Sequence, residues 1–195
     1  MKTSTSPLPC AVPVAADTGI IPQATAHYQK RLSDLKGLFL DSEDLERRIR
    51  EENDPLCYEN YAFNESKEEG DIFFGTTIIY PGKVGSEYHL TRGHYHSKRD
   101  HAETYQALSG HGVVLFEQED GTTCSAELTP GKVTYVPPFW AHRSINTGDV
   151  PLVFLWTCPV EAGHDYAGLG DRGMRQVVVE RNGEPSIQDR STAQV

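Results

Sequence analysis

The sequence predicts an all-β sandwich or barrel, and two observations carry that reading. After Pro55 the chain changes texture: short runs of β-branched and aromatic residues alternate with Gly, Pro, Asn and Asp. Turn signals recur between the runs, among them Glu119-Asp120-Gly121, Pro130-Gly131, Thr147-Gly148-Asp149 and Asn182-Gly183. Many short strands at such spacing mark a sandwich or barrel. With 195 residues, 37% of them hydrophobic, the chain has room for one sizeable domain with an extension and can bury a core.

The elements follow in order. Residues 1–25 are rich in Pro, Ala, Ser and Thr and read as an arm. Tyr28, Leu32 and Leu35 then recur at helical spacing. Asp41 before Ser42-Glu43-Asp44 supplies an N-cap and an acidic first turn, which predicts a short helix ended by Asn53-Asp54-Pro55. Strands are expected at 58–64, 72–80, 87–96, 103–108, 112–118, 125–128, 132–136, 142–146, 152–157 and 175–181. The organisation expected is an N-terminal arm with short helices over 1–55, a barrel over 56–185 and a tail over 186–195.

Composition narrows the partners. Acidic residues outnumber basic ones 28 to 18, for a formal charge of -10, which repels nucleic acid and anionic membranes. An anionic substrate then requires a local basic or metal site. No apolar run approaches the length of a membrane span, and the first residues lack the apolar stretch of a secretory signal. Cys10, Cys57, Cys124 and Cys158 are scattered and form no CxxC pair, which reads as reduced thiols in a cytoplasmic protein.

The chemistry concentrates in Thr91-Arg92-Gly93-His94-Tyr95-His96. In a strand, residues two apart share a face, so His94 and His96 can meet one ion. Glu103 can return on the adjacent strand with Tyr105 on its face, and His142 follows Pro137-Pro138 far downstream. Three neutral imidazoles and a carboxylate suit Fe(II), Mn, Co, Ni or Zn. Taken alone, an HxH pair in a strand is more often a surface or structural pair, and His27, His89, His101 and His111 are read that way. Around the site, Thr77 and Thr91 offer hydroxyls, Gly93 lets a backbone N–H approach, and Arg92 adds positive charge for a phosphate.

The wider pattern resembles the cupin superfamily: Glu103-x6-Gly110, Gly131-x5-Pro137 and His142-x3-Asn146 follow its two motifs. Three departures stand out. Six residues separate His96 from Glu103, Tyr88 stands where the first motif has Gly, and Phe139 replaces the Gly of the second. With Gly93-His94-Tyr95-His96, the run from Tyr135 to Arg143, and Ala162-Gly163-His164-Asp165-Tyr166, the chain resembles the cupin-type glucose-6-phosphate isomerases known mainly from archaea. The likeness runs from about Tyr58 to about Gly183. Cys158 stands where some relatives have an aromatic residue.

That resemblance implies a cupin, meaning a double-stranded β-helix or jelly-roll barrel. It implies a metal-dependent aldose–ketose isomerase of glycolysis or gluconeogenesis, with one divalent ion per chain, Fe(II) first, held by His94, His96, Glu103 and His142. Glu103 is then the base that moves a hydrogen between C1 and C2, or the hydrogen moves as a hydride. Tyr105 and His164 assist, His164 or Tyr166 at ring opening. Tyr58, Thr77, Thr91, Arg92, Gly93 and Tyr166 contact the sugar phosphate, and the chain forms a homodimer. The other readings are a cupin dioxygenase with the same ligands, and a sugar-phosphate-binding cupin without turnover.

Overall fold

A computed structural model describes residues 8–65, 68–170 and 173–193. The first seven residues of the expected arm and the last two of the expected tail lie outside the described residues.

Among the described residues, thirteen strands, one α-helix and two short 3-10 turns make an antiparallel β structure. Six strands form the largest sheet: β1 (Ala26–Arg31), β2 (Leu56–Phe63), β3 (Ile72–Ile79), β11 (Leu152–Pro159), β6 (Glu103–Ser109) and β9 (Val133–Val136), in that spatial order. Facing it, β10 (Ala141–Asn146), β7 (Gly112–Glu117) and β8 (Thr123–Leu128) form a second sheet. A third holds β13 (Glu184–Asp189), β12 (Gln176–Arg181), β5 (Glu87–Tyr88) and β4 (Lys83–Val84). Alternation along β6 and β9 buries every second residue, as a sheet with one solvated face requires. Ile79, Leu115, Leu128, Ile145 and Phe154 belong to the core cluster. The fold is thus mostly antiparallel β, as the sequence predicts, with one short helix.

The short helix forms where Asp41 predicts it. α1 spans Ser42–Glu51, and the Asp44 N–H donates to Asp41 Oδ1 at 2.8 Å. Leu45 is its fully inward residue.

Two expectations are corrected. Tyr28, Leu32 and Leu35 do not share a helix. Residues 26–31 are strand β1, paired antiparallel with β2 so that Tyr28 lies opposite Asn60, and Leu32–Leu35 is one 3-10 turn. The open edge of β2 offered backbone partners that outweighed local spacing, while the turn still buries Leu32 and Leu35. The expected strand 87–96 is also broken. After β5 only isolated bridges remain, Leu90 to Ile145, His94 to His142 and Tyr95 to Asp165. Gly93 at φ +76 cannot continue a strand. At the other end, Asn182 and Gly183 both take positive φ and close a two-residue hairpin from β12 to β13.

Asn146 ends β10 and ties the turn that follows it to β3. Its Nδ2 donates to Ile79 O at 2.8 Å and Val150 O at 2.9 Å, and its Oδ1 accepts from the Gly148 N–H at 2.9 Å. The residue is fully buried. Asn146→Ala strands these groups, so unfolding stability should fall by about 2–4 kcal/mol, read from urea denaturation. A loss below about 0.5 kcal/mol would show that water replaces the side chain.

Candidate metal centre and pocket

The site assembles from three places. Glu103 opens β6, where it pairs with Val136 of β9. His142 is the second residue of β10. His94 reaches it by a reciprocal backbone bridge: His94 N–H to His142 O at 3.2 Å, and His142 N–H to His94 O at 3.0 Å. His96 lies two residues on, with Tyr95 turned the opposite way into the core. The ligand atoms of His94, His96, Glu103 and His142 all lie within 4.8 Å of one another. Glu103 Oε2 is 3.2 Å from both His96 Nε2 and His142 Nε2.

The donor set fits a metal on its own chemistry. His96 Nδ1 donates to the His101 carbonyl at 2.9 Å, and His142 Nδ1 to the Trp140 carbonyl at 3.3 Å. Each Nδ1 is thereby committed to a carbonyl, which leaves Nε2 as the ring atom that faces the centre. His142 Nε2 is buried and lacks a hydrogen-bond partner among the described residues, a costly state that a metal bond would relieve. Burial, with His142, His164 and His96 close by, holds the His94 imidazole well below its ordinary range and so neutral. Burial alone would raise Glu103, but the His142 and His96 imidazoles overcome it and hold the carboxyl down at about 2, so it is ionised. Tyr105 donates to Glu103 Oε2 at 3.4 Å.

These four donor residues lie in a cavity that also takes in the other predicted residues. Tyr58, Thr77 and Tyr105 line it from the large sheet, and Thr91, Arg92 and Gly93 from the segment before His94. His164 and Tyr166 close it, their rings parallel at 5.9 Å, with His164 4.4 Å from His94. The Arg92 guanidinium lies 5.2 Å from the Tyr166 ring. Thr77 donates to Asn60 Oδ1 at 2.5 Å, so its own proton is already engaged. Thr91 instead accepts from the Ser144 N–H at 3.1 Å and keeps its O–H to donate. A Cβ at Gly93 would stand 3.1 Å from Arg143 Cβ and Nε, so close packing as well as its φ selects glycine.

The departures from the cupin pattern resolve unevenly. Phe139 adopts φ +69, the conformation its usual Gly provides, at a cost of about 1–2 kcal/mol. Tyr88 is buried in β5 beside Lys83, away from the cavity. Cys158 lines the cavity, and burial pushes its thiol up, so it is an uncharged wall group.

Sequence reasoning missed several wall residues. Ser144 was readable, because it follows His142 by two in a strand. Phe154 and Trp156 precede Cys158 by the same step on β11. Asn60 carried no signal beyond its place opposite Thr77. Tyr28, about half exposed, lines the cavity from β1. His27, His89, His101 and His111 do not line the cavity. His27 pairs with Glu59 at 2.7 Å, and His101 faces Glu161 at 3.4 Å.

A family model described as "Glucose-6-phosphate isomerase (GPI)" matches residues 29–194. The glucose-6-phosphate isomerase of Pyrococcus abyssi is 49% identical over 181 residues, 93% of this chain and 95% of that protein. That of Thermococcus litoralis is 48% identical over 181 residues, 93% of this chain and 94% of its own. A solved structure of Bacillus subtilis oxalate decarboxylase, studied for its Mn(II) centres, overlays on 52% of this chain and 25% of its own, with 25% identity and a TM-score of 0.43.

His96→Ala and His142→Ala each remove one of the four clustered donor groups and should each lose most of the bound metal, counted by elemental analysis of the folded protein. A variant that keeps one ion per chain would remove its residue from the ligand set.

Proposed function

The chain belongs to the glucose-6-phosphate isomerase family, so it interconverts glucose 6-phosphate and fructose 6-phosphate, and we propose that it does so around a divalent ion held by His94, His96, Glu103 and His142. The observation that carries this is the convergence of three imidazoles and one carboxylate at a cavity that also gathers Arg92, Thr77 and Thr91. The donor set suits Fe(II) first, with Mn, Ni, Co and Zn as competitors. Bound there, the ion polarises the carbonyl of the open-chain sugar.

The chain's own residues do the rest. Glu103 is the one carboxylate among the described residues lining the cavity, and it carries the proton between C1 and C2. Tyr105 orients it through the hydroxyl contact. His164, kept uncharged by burial, takes the proton of the anomeric hydroxyl and returns it to the ring oxygen as the C1–O5 bond breaks, which opens the pyranose. Arg92 meets the phosphate with its charge, Thr91 with its free hydroxyl proton, and Gly93 with its backbone N–H. Thr77 and Asn60 act as one polar unit, while Tyr58 and Tyr166 hold sugar hydroxyls. A low-basicity Glu103 also suits the second route, direct hydride transfer between C1 and C2.

One assay series tests these roles. Metal-loaded protein should form glucose 6-phosphate from fructose 6-phosphate, chelation should abolish this, and Fe(II) should restore most of it. Metal-replete Glu103→Gln should lose about 10²–10⁴-fold in kcat, and the unmodified enzyme in deuterated water should place deuterium at C1 or C2. Near-normal turnover by that variant would end the case for Glu103 as base. Product without label favours the hydride route, and full activity after verified metal removal would sink the metal.

The assembly follows from a sheet edge. β9 closes one side of the large sheet and exposes Val133 and Tyr135, which supports a homodimer that covers it. All four cysteines are free, which supports a reducing, cytoplasmic setting, and among the described residues no helix is long and apolar enough to cross a membrane. Sedimentation at micromolar protein should give the dimer mass; a single monomeric species would refute it.

A further inference from the structure

The spacer between His96 and Glu103 holds a side chain that the reaction above leaves unused. Arg99 Nη1 donates to the His96 carbonyl at 2.6 Å, and Nη2 to Asp165 Oδ2 at 2.6 Å. Its guanidinium carbon lies 4.2 Å from the centroid of the Tyr95 ring. Its own carbonyl accepts from the Phe139 N–H at 2.6 Å, three residues before His142. One residue therefore touches the backbone of the His96 segment, the turn that leads to His142, and the loop that carries His164 and Tyr166.

Asp165 is tied down on every side. Its Oδ1 accepts from the Gly168 N–H at 3.0 Å. Its backbone exchanges both hydrogen bonds with Tyr95, at 2.8 and 3.2 Å. Gly168 leaves the pair its space: a Cβ there would stand 2.8 Å from Arg99 Nη2, 2.9 Å from Asp165 Oδ2 and 3.0 Å from Tyr95 Cδ2. Arg99 also reaches Glu119 at 3.3 Å, but Glu119 is mostly exposed and holds nothing in the cavity.

We propose that Arg99 and Asp165 form a clamp that positions His164 and Tyr166 over the metal ligands. The clamp rests on the roles given above to those two residues. His164 and Tyr166 flank Asp165 directly, so fixing its side chain and backbone fixes where both rings sit. The two side chains are 24% and 30% exposed, so as an ion pair the clamp contributes little to global stability. Its effect is geometric. A displacement of about 1 Å in a group facing the reacting atoms costs on the order of 10²-fold in rate. The clamp also accounts for the long spacer, which brings Arg99 within reach of Asp165.

Both residues lie outside the cavity wall, so they act as positioning residues. The test compares Arg99→Lys, Asp165→Asn and the double variant with the unmodified enzyme, all metal-replete by elemental analysis. Lysine keeps the charge but has a single nitrogen for the two acceptors. Asparagine keeps the shape and an oxygen for Gly168. Each single variant should lose about 10–100-fold in kcat with its metal content and thermal midpoint nearly unchanged. The double should lose no more than the worse single, because the two act as a unit. Single variants within about twofold of normal kcat, or losses that multiply in the double, would overturn the clamp. Losses that track missing metal or a lowered midpoint would also overturn it. An inactive unmodified protein would instead overturn the isomerase reading, and with it the roles of His164 and Tyr166.

Discussion

The antiparallel bridge between His94 and His142 is the contact that holds the site in register. Its two backbone hydrogen bonds join segments far apart in the chain. They work because β10 runs extended against β7 while the 89–96 segment crosses it without forming a full strand. Once the bridge is made, alternation does the sorting. His94 and His96 face the cavity and Tyr95 packs behind them. On β10, His142 and Ser144 face the cavity, while Arg143 is buried behind it and donates to the Arg92 carbonyl at 2.7 Å. The segment of Thr91, Arg92 and Gly93 along the cavity wall is thereby held from the rear.

Electrostatics then follow from burial. A chain of net charge -10 must still admit an anionic sugar phosphate. The long-range field opposes that, but at a cavity with low-dielectric walls near charges dominate distant ones. Within the cavity Glu103 is the one carboxylate among the described residues, set in a wall that also holds Arg92 and four imidazoles. The same burial keeps His94 neutral, and His142 Nε2, 3.2 Å from Glu103 Oε2, makes no well-formed hydrogen bond among the described residues.

The departures from the cupin pattern divide by physics. Phe139 repeats the backbone conformation of the glycine it replaces and accepts the strain, since the turn must deliver His142 to β10. The long spacer is an addition, and Arg99 within it connects parts of the site that are separate in sequence. Tyr88 changes nothing at the cavity, because its position lies in β5 at the far sheet.

What the sequence determined alone was the part written in local spacing. The β texture, the Asp41 cap, the two-residue step from His94 to His96 and the motif spacings around Glu103 and His142 were all readable, because strand alternation and capping act over a few residues. The hydroxyls and glycine beside the ligands were readable for the same reason. What only the tertiary structure decided was whatever depended on a distant partner. Tyr28, Leu32 and Leu35 have helical spacing, yet β2 drew residues 26–31 into its sheet and placed Tyr28 on the cavity wall. The expected strand 87–96 reads as continuous, yet Gly93 breaks it so that separate bridges can form. Arg99 and Asp165 are charged residues in loops, with nothing nearby in sequence to join them. Their meeting depends on the Tyr95–Asp165 bridge, a contact across about seventy residues that local periodicity does not encode.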